Sequence, residues 1–393
     1  MGGLRIACIG EAMIELSFEG AGAGAGLGHG PGDEGDAGAM ARVGVAGDTL
    51  NTAIYLARCM GVGGGPEAGP EAGPEAGPEA GHESRPRSGP EVSYVTALGA
   101  DDPYSARMLD FMAAEGVSTA RVARLPGRLP GIYAIATDAA GERSFHYWRG
   151  ASAARAMFDA ADAVGARDVA RAGGAVGARD VARAGAPDFS ALDGADVLYL
   201  SAITLAILAP PTRAALIADL RARRAAGAKI AFDSNWRPRL WASADDAREA
   251  VAAMWSICDI ALPSLDDEMA LFADADEAAC LARLSALIPG CGALKRGASG
   301  PAPINAPGAA GGVFAPDPAP LDTTAAGDSF NGGFLASLLA DRGAGAQAGA
   351  WAGTGPARGV AVAAAMAMGH ACARAVVARR GAIIARADMP PIR

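Results

Sequence analysis

Asp322-Thr-Thr-Ala-Ala-Gly-Asp-Ser-Phe330, running on into Asn331-Gly-Gly-Phe334, sets an acid, Asp328, directly behind a turn of small residues, Ala325, Ala326 and Gly327. An apolar run of helical character, Phe330 to Leu339, follows at once. A helix that begins on such a turn leaves backbone N–H groups without intrahelical acceptors, and these form a ready anion hole. A carboxylate at its edge is well suited to taking a proton from a hydroxyl while negative charge builds on a neighbouring phosphoryl group. The plainer alternative is a helix start at which Asp328 and Ser329 only favour the first turn.

Working outward, Lys295-Arg-Gly-Ala-Ser-Gly300 follows an apolar strand, and its glycines would let the backbone approach a nucleotide. By itself this is equally an ordinary strand-to-loop turn. No G-x-x-x-x-G-K-[ST] loop and no protein-kinase signature occurs. From residue 196 onward predicted strands (Val197–Leu200, Lys229–Phe232, Ile257–Leu262, Gly292–Lys295) alternate with predicted helices (Pro210–Ala226, Ala244–Trp255, Leu265–Phe272, Glu277–Leu287). A last helix runs from about Ala357 to Arg379. That rhythm predicts an α/β fold, a mainly parallel sheet with helices on both faces.

The first half adds strands at Leu4–Ile9, Met13–Phe18 and Val92–Ala97 and helices at Asp48–Met60 and Pro103–Glu115. Ile132–Thr137 and Arg143–Trp148 read as a β-hairpin. The hairpin and the 13–18 strand stand outside the alternation and predict a small β-flap, from about 12–42 and 118–150, on a single domain spanning 1–393. Three low-complexity insertions interrupt it: 20–40, 63–91 with its Gly-Pro-Glu-Ala units, and 160–187, where an Ala-Val-Gly-Ala-Arg-Asp-Val-Ala-Arg-Ala-Gly segment occurs twice.

A net charge of −9 argues against nucleic acid as a partner and requires any anionic substrate to be held by local arginines and N–H groups. The six cysteines are scattered without a C-x-x-C pair, and the four histidines have no metal-ligand spacing, so free thiols in a reducing cytoplasm are expected. No signal peptide opens the chain and no apolar run approaches the roughly 20 residues that span a bilayer, so no membrane partner is expected. Only two lysines and four asparagines occur. One lysine and three asparagines fall in the motifs described here, which gives those positions added weight.

The pairing of Lys-x-Gly-x-x-Gly with Asp-Thr-Thr-Ala-Ala-Gly-Asp-Ser-Phe-x-Gly-Gly resembles the ribokinase (PfkB) family of carbohydrate kinases. Further segments are similar to one branch of it, the 2-keto-3-deoxygluconate kinases: Ile9-Gly-Glu-Ala-Met-Ile-Glu-Leu-Ser17, Gly47-Asp-Thr-Leu-Asn-Thr52, Gly141-Glu-Arg-Ser-Phe-His-Tyr-Trp-Arg149 and Asp233-Ser-Asn-Trp-Arg-Pro-Arg-Leu-Trp241. The resemblance covers nearly the whole chain outside the three insertions. It implies a ribokinase-like fold and ATP-dependent phosphorylation of 2-dehydro-3-deoxy-D-gluconate at its primary hydroxyl. A fructokinase- or ribokinase-like activity, or a silent sugar-binding regulator, stays open as an alternative.

Residue by residue, the resemblance makes Asp328 the general base and gives the backbone of Ala325, Ala326 and Gly327 the transferring charge. The family commonly has Gly where Ala326 stands, and a methyl group is tolerated there if φ stays negative. Gly47, Asp48 and Asn51 would grip sugar hydroxyls, Asp48 having a helix cap as its other reading. Tyr147 and Arg149 would meet the sugar acid, Arg149 by paired hydrogen bonds to a carboxylate; an exposed flap arginine is the alternative, and Tyr133 would either pack on the sugar or support the flap. Asn235 and Arg237 would reach the phosphates, and Lys295, Gly297, Ser299 and Gly300 would line the nucleotide site. Mg²⁺ is implied, held mostly by phosphate and water. Glu268 is either an acid near that metal or a helix N-terminal carboxylate. Homo-oligomerisation through the flap is also implied.

Overall fold

The structure is a computed structural model, and it describes residues 3–18, 41–62, 89–137, 143–159, 186–309, 314–317, 319–340, 353 and 355–391. The insertions expected at 20–40, 63–91 and 160–187 lie outside these residues, except for 89–91 and 186–187.

The first half of the chain runs β1 (Arg5–Ile9), β2 (Met13–Phe18), β3 (Ala41–Ala46), α1 (Asp48–Cys59), β4 (Glu91–Val95), β5 (Ala97–Gly99), α2 (Pro103–Ala114), β6 (Ala123–Leu125), β7 (Gly131–Thr137) and β8 (Arg143–Trp148). The second runs β9 (Val197–Ser201), α3 (Ala202–Ile207), α4 (Pro210–Ala225), β10 (Lys229–Asp233), α5 (Ala244–Trp255), β11 (Ile260–Ala261), α6 (Leu265–Phe272), α7 (Glu277–Leu287), β12 (Cys291–Leu294), β13 (Ala302–Ile304), α8 (Ala326–Ala340) and α9 (Pro356–Val377).

Continuous apolar runs such as Val197–Leu200 mark strands buried on both faces. They build a seven-stranded sheet in the order β13-β12-β11-β10-β9-β1-β4, parallel except for β13. Successive side chains alternate between two cores: Ala7, Ile9, Leu198 and Leu200 pack on one side, Ile6, Cys8, Val197 and Tyr199 on the other. The second core is roofed by α1, α8 and α9, and the glycines at the start of α8 let these helices close up. A methyl group built on Gly332 would lie 2.6 Å from the Tyr55 Cβ and 2.8 Å from the Leu56 nitrogen in α1. One built on Gly333 would lie 2.7 Å from Cys372 Sγ in α9.

A smaller four-stranded sheet, β3-β2-β7-β8, stands apart, with β2 and β7 parallel and both outer pairs antiparallel. Its β3 has no counterpart in the sequence reading, although Val43 and Val45 alternate with Arg42 and Gly44. The Ile257–Leu262 strand shrinks to Ile260–Ala261, because the N–H groups of Ile257 and Cys258 close the end of α5 on Met254 (3.1 Å) and Trp255 (3.2 Å). Asp48 is not a cap. Gly47 occupies the N-cap of α1, with no side-chain capping bond, and Asp48 is the first helical residue.

The expectation about apolar runs also needs correction. By length and composition, α9 is apolar enough to cross a membrane. In this fold Val362, Ala365, Met366, Gly369, Cys372 and Val376 form one buried stripe on it, the pattern of a helix packed by one face against a core.

Candidate active site

In an open parallel sheet, ligands gather at the carboxyl ends of the strands. Here β1 ends before Glu11, β10 ends at Asp233 with Asn235 just beyond, and β12 ends before Lys295. All four residues line one cleft of about 1200 Å³, roofed by the inward face of the small sheet through Met13, Tyr133 and Tyr147.

Asp328 sits in the first turn of α8 on this cleft. Asn51 Nδ2 donates to its Oδ2 at 2.8 Å, and Thr52 Oγ1 donates to its backbone carbonyl at 3.2 Å, so α1 fixes the acid from below. Burial, followed by the nearby Asp48 charge, pushes the Asp328 carboxyl up to about 8; Asn51 and Lys295 pull the other way. The turn before it bears the backbone strain at Ala325, whose φ of 59° is left-handed, and not at Ala326. The N–H of Ala326 is already taken by the Thr323 carbonyl at 3.2 Å, so it is not among the donors the turn can offer. Asp322 anchors the turn: its carboxylate accepts the N–H groups of Thr324 (3.0 Å) and Gly381 (2.8 Å).

Asp48 accepts from Ser201 Oγ and, at 2.8 Å, from Asn235 Nδ2. This places both sequence-predicted residues on one hydrogen-bonded wall. Asp233 is buried and accepts from Lys295 Nζ (2.7 Å), Asn331 Nδ2 (2.6 Å) and the Asn235 N–H (3.1 Å). Arg149, just past β8, pairs with Glu11 Oε2 and lies against the Tyr147 ring, 5.9 Å from its centroid. Tyr133 donates to Glu15 and has its ring 5.8 Å from that of Tyr147; burial holds its phenol well above the usual range.

Sequence reasoning had not assigned Glu11, Asp233, Asp266 or Asp267, which all line the cleft. Gly297, Ser299 and Gly300 are not among the residues lining this cleft, and in their loop Arg296 donates to the carbonyls of Ser299 (3.1 Å) and Gly300 (2.9 Å). Glu268 points into the core, where it is fully buried between Arg283 NH2 (2.9 Å) and Trp255 Nε1 (3.1 Å). Burial pushes its carboxyl up to about 7 against the pull of Arg283. Its neighbour Asp267 faces the cleft instead, with Arg237 NH1 3.6 Å away. Burial raises the Asp267 carboxyl and Arg237 lowers it.

No group of three or more His, Cys, Asp or Glu side chains among the described residues is placed to hold a metal ion by itself. Asp267 and Asp233, hard oxygen donors on one cleft, suit a cation that takes one or two carboxylates and fills its remaining positions from phosphate and water.

A base beside a helix N-terminal turn, an ammonium and paired acids define a site for phosphoryl transfer to a hydroxyl. The chain belongs to the pfkB family of carbohydrate kinases, whose model matches residues 4–181 and 161–388. It is 34% identical over 393 residues to a protein of Escherichia coli K12 named 2-dehydro-3-deoxygluconokinase, covering 98% of this chain and 99% of that one. A protein of the same name from Dickeya dadantii is 36% identical, with 98% of each covered. Among solved structures, a fructokinase with bound ATP from Xylella fastidiosa superposes with a TM-score of 0.62 at 18% identity, over 99% of this chain and 95% of that one.

Proposed function

We propose that this kinase transfers the γ-phosphoryl group of ATP to the primary hydroxyl of 2-dehydro-3-deoxy-D-gluconate, giving the 6-phosphate. The observation that carries the reading is a half-buried carboxylate, Asp328, at an anion turn sharing a cleft with a buried arginine, Arg149. Asp328 takes the hydroxyl proton as the oxygen bonds to the γ-phosphorus, and the electron pair of the breaking bond leaves on ADP. The turn at Ala325–Gly327 and the dipole of α8 favour the charge on the transferring group. Asp48 and Asn51 hold sugar hydroxyls, Asn235 and Arg237 reach toward the phosphates, and Arg149 takes the carboxylate of the acceptor. Asp267 and Asp233 would hold a Mg²⁺ brought in with the nucleotide, which would supply positive charge at the phosphates. The small sheet excludes water above the reacting atoms.

The face of the small sheet opposite Tyr133 carries Phe18 and Val43 on the neighbouring strands β2 and β3, each 43% exposed, and Trp148 on the outer strand β8, 62% exposed. An apolar face of this kind suits a second copy of the chain, so we infer homo-oligomerisation through it. Six free thiols fit a reducing cytoplasm. A coupled ADP-release assay over 2-keto-3-deoxy acids, ketohexoses and pentoses tests the reading. A keto-deoxy acid should give the highest kcat/KM; fructose or ribose outperforming all such acids would overturn it.

A further inference from the structure

We propose that Lys295 is a catalytic residue, its ammonium lying against the transferring phosphoryl group, and that Asp233 and Asn331 are positioning residues that hold it there. This rests on the kinase reading above. The first observation is a close approach. Among the described residues, a methyl group built on Gly327 would meet one atom beyond its own turn and helix backbone, Lys295 Nζ, at 3.6 Å. The ammonium therefore stands over the open face of the anion turn, one residue from the base.

The second observation is how it is held. Among the described residues Asp233 Oδ2 is the only hydrogen-bond acceptor that Lys295 Nζ meets, at 2.7 Å. An ammonium has three donors, so two remain for a ligand. The Asp233 oxygen that receives Lys295 also receives Asn331 Nδ2 at 2.6 Å, and its other oxygen takes the Asn235 N–H at 3.1 Å. Asn331 is fully buried one helical turn after Asp328, and the same amide nitrogen donates to the Tyr199 hydroxyl at 3.1 Å. One side chain of α8 thus ties the helix that carries the base to the carboxylate that carries the lysine. Neither group can drift without the other.

The remaining cleft cations are less suited. Arg149 is tied to Glu11, the Arg237 side chain is 52% exposed beside Asp267, and Arg239 is exposed. The Lys295 side chain is only 10% exposed, so its charge acts where water screens little. As the hydroxyl oxygen bonds to phosphorus and its proton passes to Asp328, charge on the three equatorial oxygens is met from this side by the ammonium. The same charge favours the ionised form of Asp328.

Steady-state kinetics of Lys295→Met, Asn331→Ala and the double variant test this. Removing one preorganised donor to a transition-state oxyanion costs about 10²–10³-fold in kcat. Lys295→Met should lose that much, with KM for the sugar within about threefold. The acid limb of its kcat/KM profile should move to higher pH, a shift that a merely structural lysine would not produce. Asn331→Ala should lower kcat about tenfold alone and add nothing on the Lys295→Met background, since residues acting as a unit are not additive. Lys295→Gln serves the same readouts if Lys295→Met does not fold. A kcat within threefold of wild type, a loss confined to KM for ATP, or full additivity of the two variants would overturn the inference. A wild type that releases no ADP with any acceptor would sink the kinase reading as well.

Discussion

Replacing Asp328 by Asn keeps the shape of the side chain and removes only its ability to accept a proton. A positioned general base contributes about 10²–10⁴-fold, so kcat should fall by that factor while KM for the sugar stays within a few-fold. The structure adds a pH signature. With its carboxyl pushed up to about 8, Asp328 is ionised in about one molecule in ten at pH 7 in the free enzyme, so wild-type kcat/KM should climb about tenfold per pH unit up to about pH 8. Stability must move the opposite way. The folded value lies above the usual 3.8, so the contribution of this group is fully present below about pH 4 and is lost as pH rises through about 8. Asn carries no such dependence. The Tm of Asp328→Asn minus that of wild type should therefore grow from about pH 4 and level off above about pH 8. Scanning calorimetry from pH 4 to 9 beside an ADP-release assay reads both. An Asn variant within tenfold of wild-type kcat, or a Tm difference independent of pH, would refute the reasoning.

Arg149→Ala should raise KM for a keto-deoxy acid about 10–100-fold, the loss expected of a charge-assisted pair, and leave a neutral sugar within about threefold; kinetics on both acceptors would show it. Ala325→Gly should raise stability to chemical denaturation by up to about 1 kcal/mol, because glycine removes the left-handed strain at a small entropic cost. Gly332→Ala should lower it by about 1–3 kcal/mol, because the added methyl meets the backbone of α1, which cannot rotate away.

What the sequence disclosed was what is local in it. The strands of the large sheet are continuous apolar runs, and the turn, base and helix of 322–340 are contiguous, so spacing alone brings them together. The partners of the base and of the lysine are not contiguous. Asp233 meets Lys295 across 62 positions and Asn331 across 98, and Arg149 reaches Glu11 across 138. Such pairs depend on strand order, which no local pattern encodes. Glu268 shows a finer limit. Adjacent helical residues point about 100° apart, so among Asp266, Asp267 and Glu268 a step of one position separates cleft from core. Three acids in a row hide that step, and only Arg283, arriving from α7, reveals which one is turned inward. In the loop at Gly297–Gly300 the glycines take positive φ values of 54° and 74°, which lets the chain curl around Arg296, a bond partner four positions from the Gly300 carbonyl that spacing alone does not announce.

The cleft raises a charge question that the two proposed anionic substrates sharpen. Among the described lining residues six carboxylates (Glu11, Asp48, Asp233, Asp266, Asp267, Asp328) face four cations (Arg149, Arg237, Arg239, Lys295). An empty site of this composition repels a nucleotide and a sugar acid alike, and the same excess holds the proton on Asp328 through Asp48 and Asp233. Positive charge brought in with the nucleotide would relieve both problems together, drawing the phosphates in and lowering the affinity of Asp328 for its proton. The base then becomes competent as the site fills. In that light the acids around Asp328 are part of its tuning, and Lys295, fixed over the turn by Asp233 and Asn331, is the resident charge that keeps the carboxyl within reach of neutral pH.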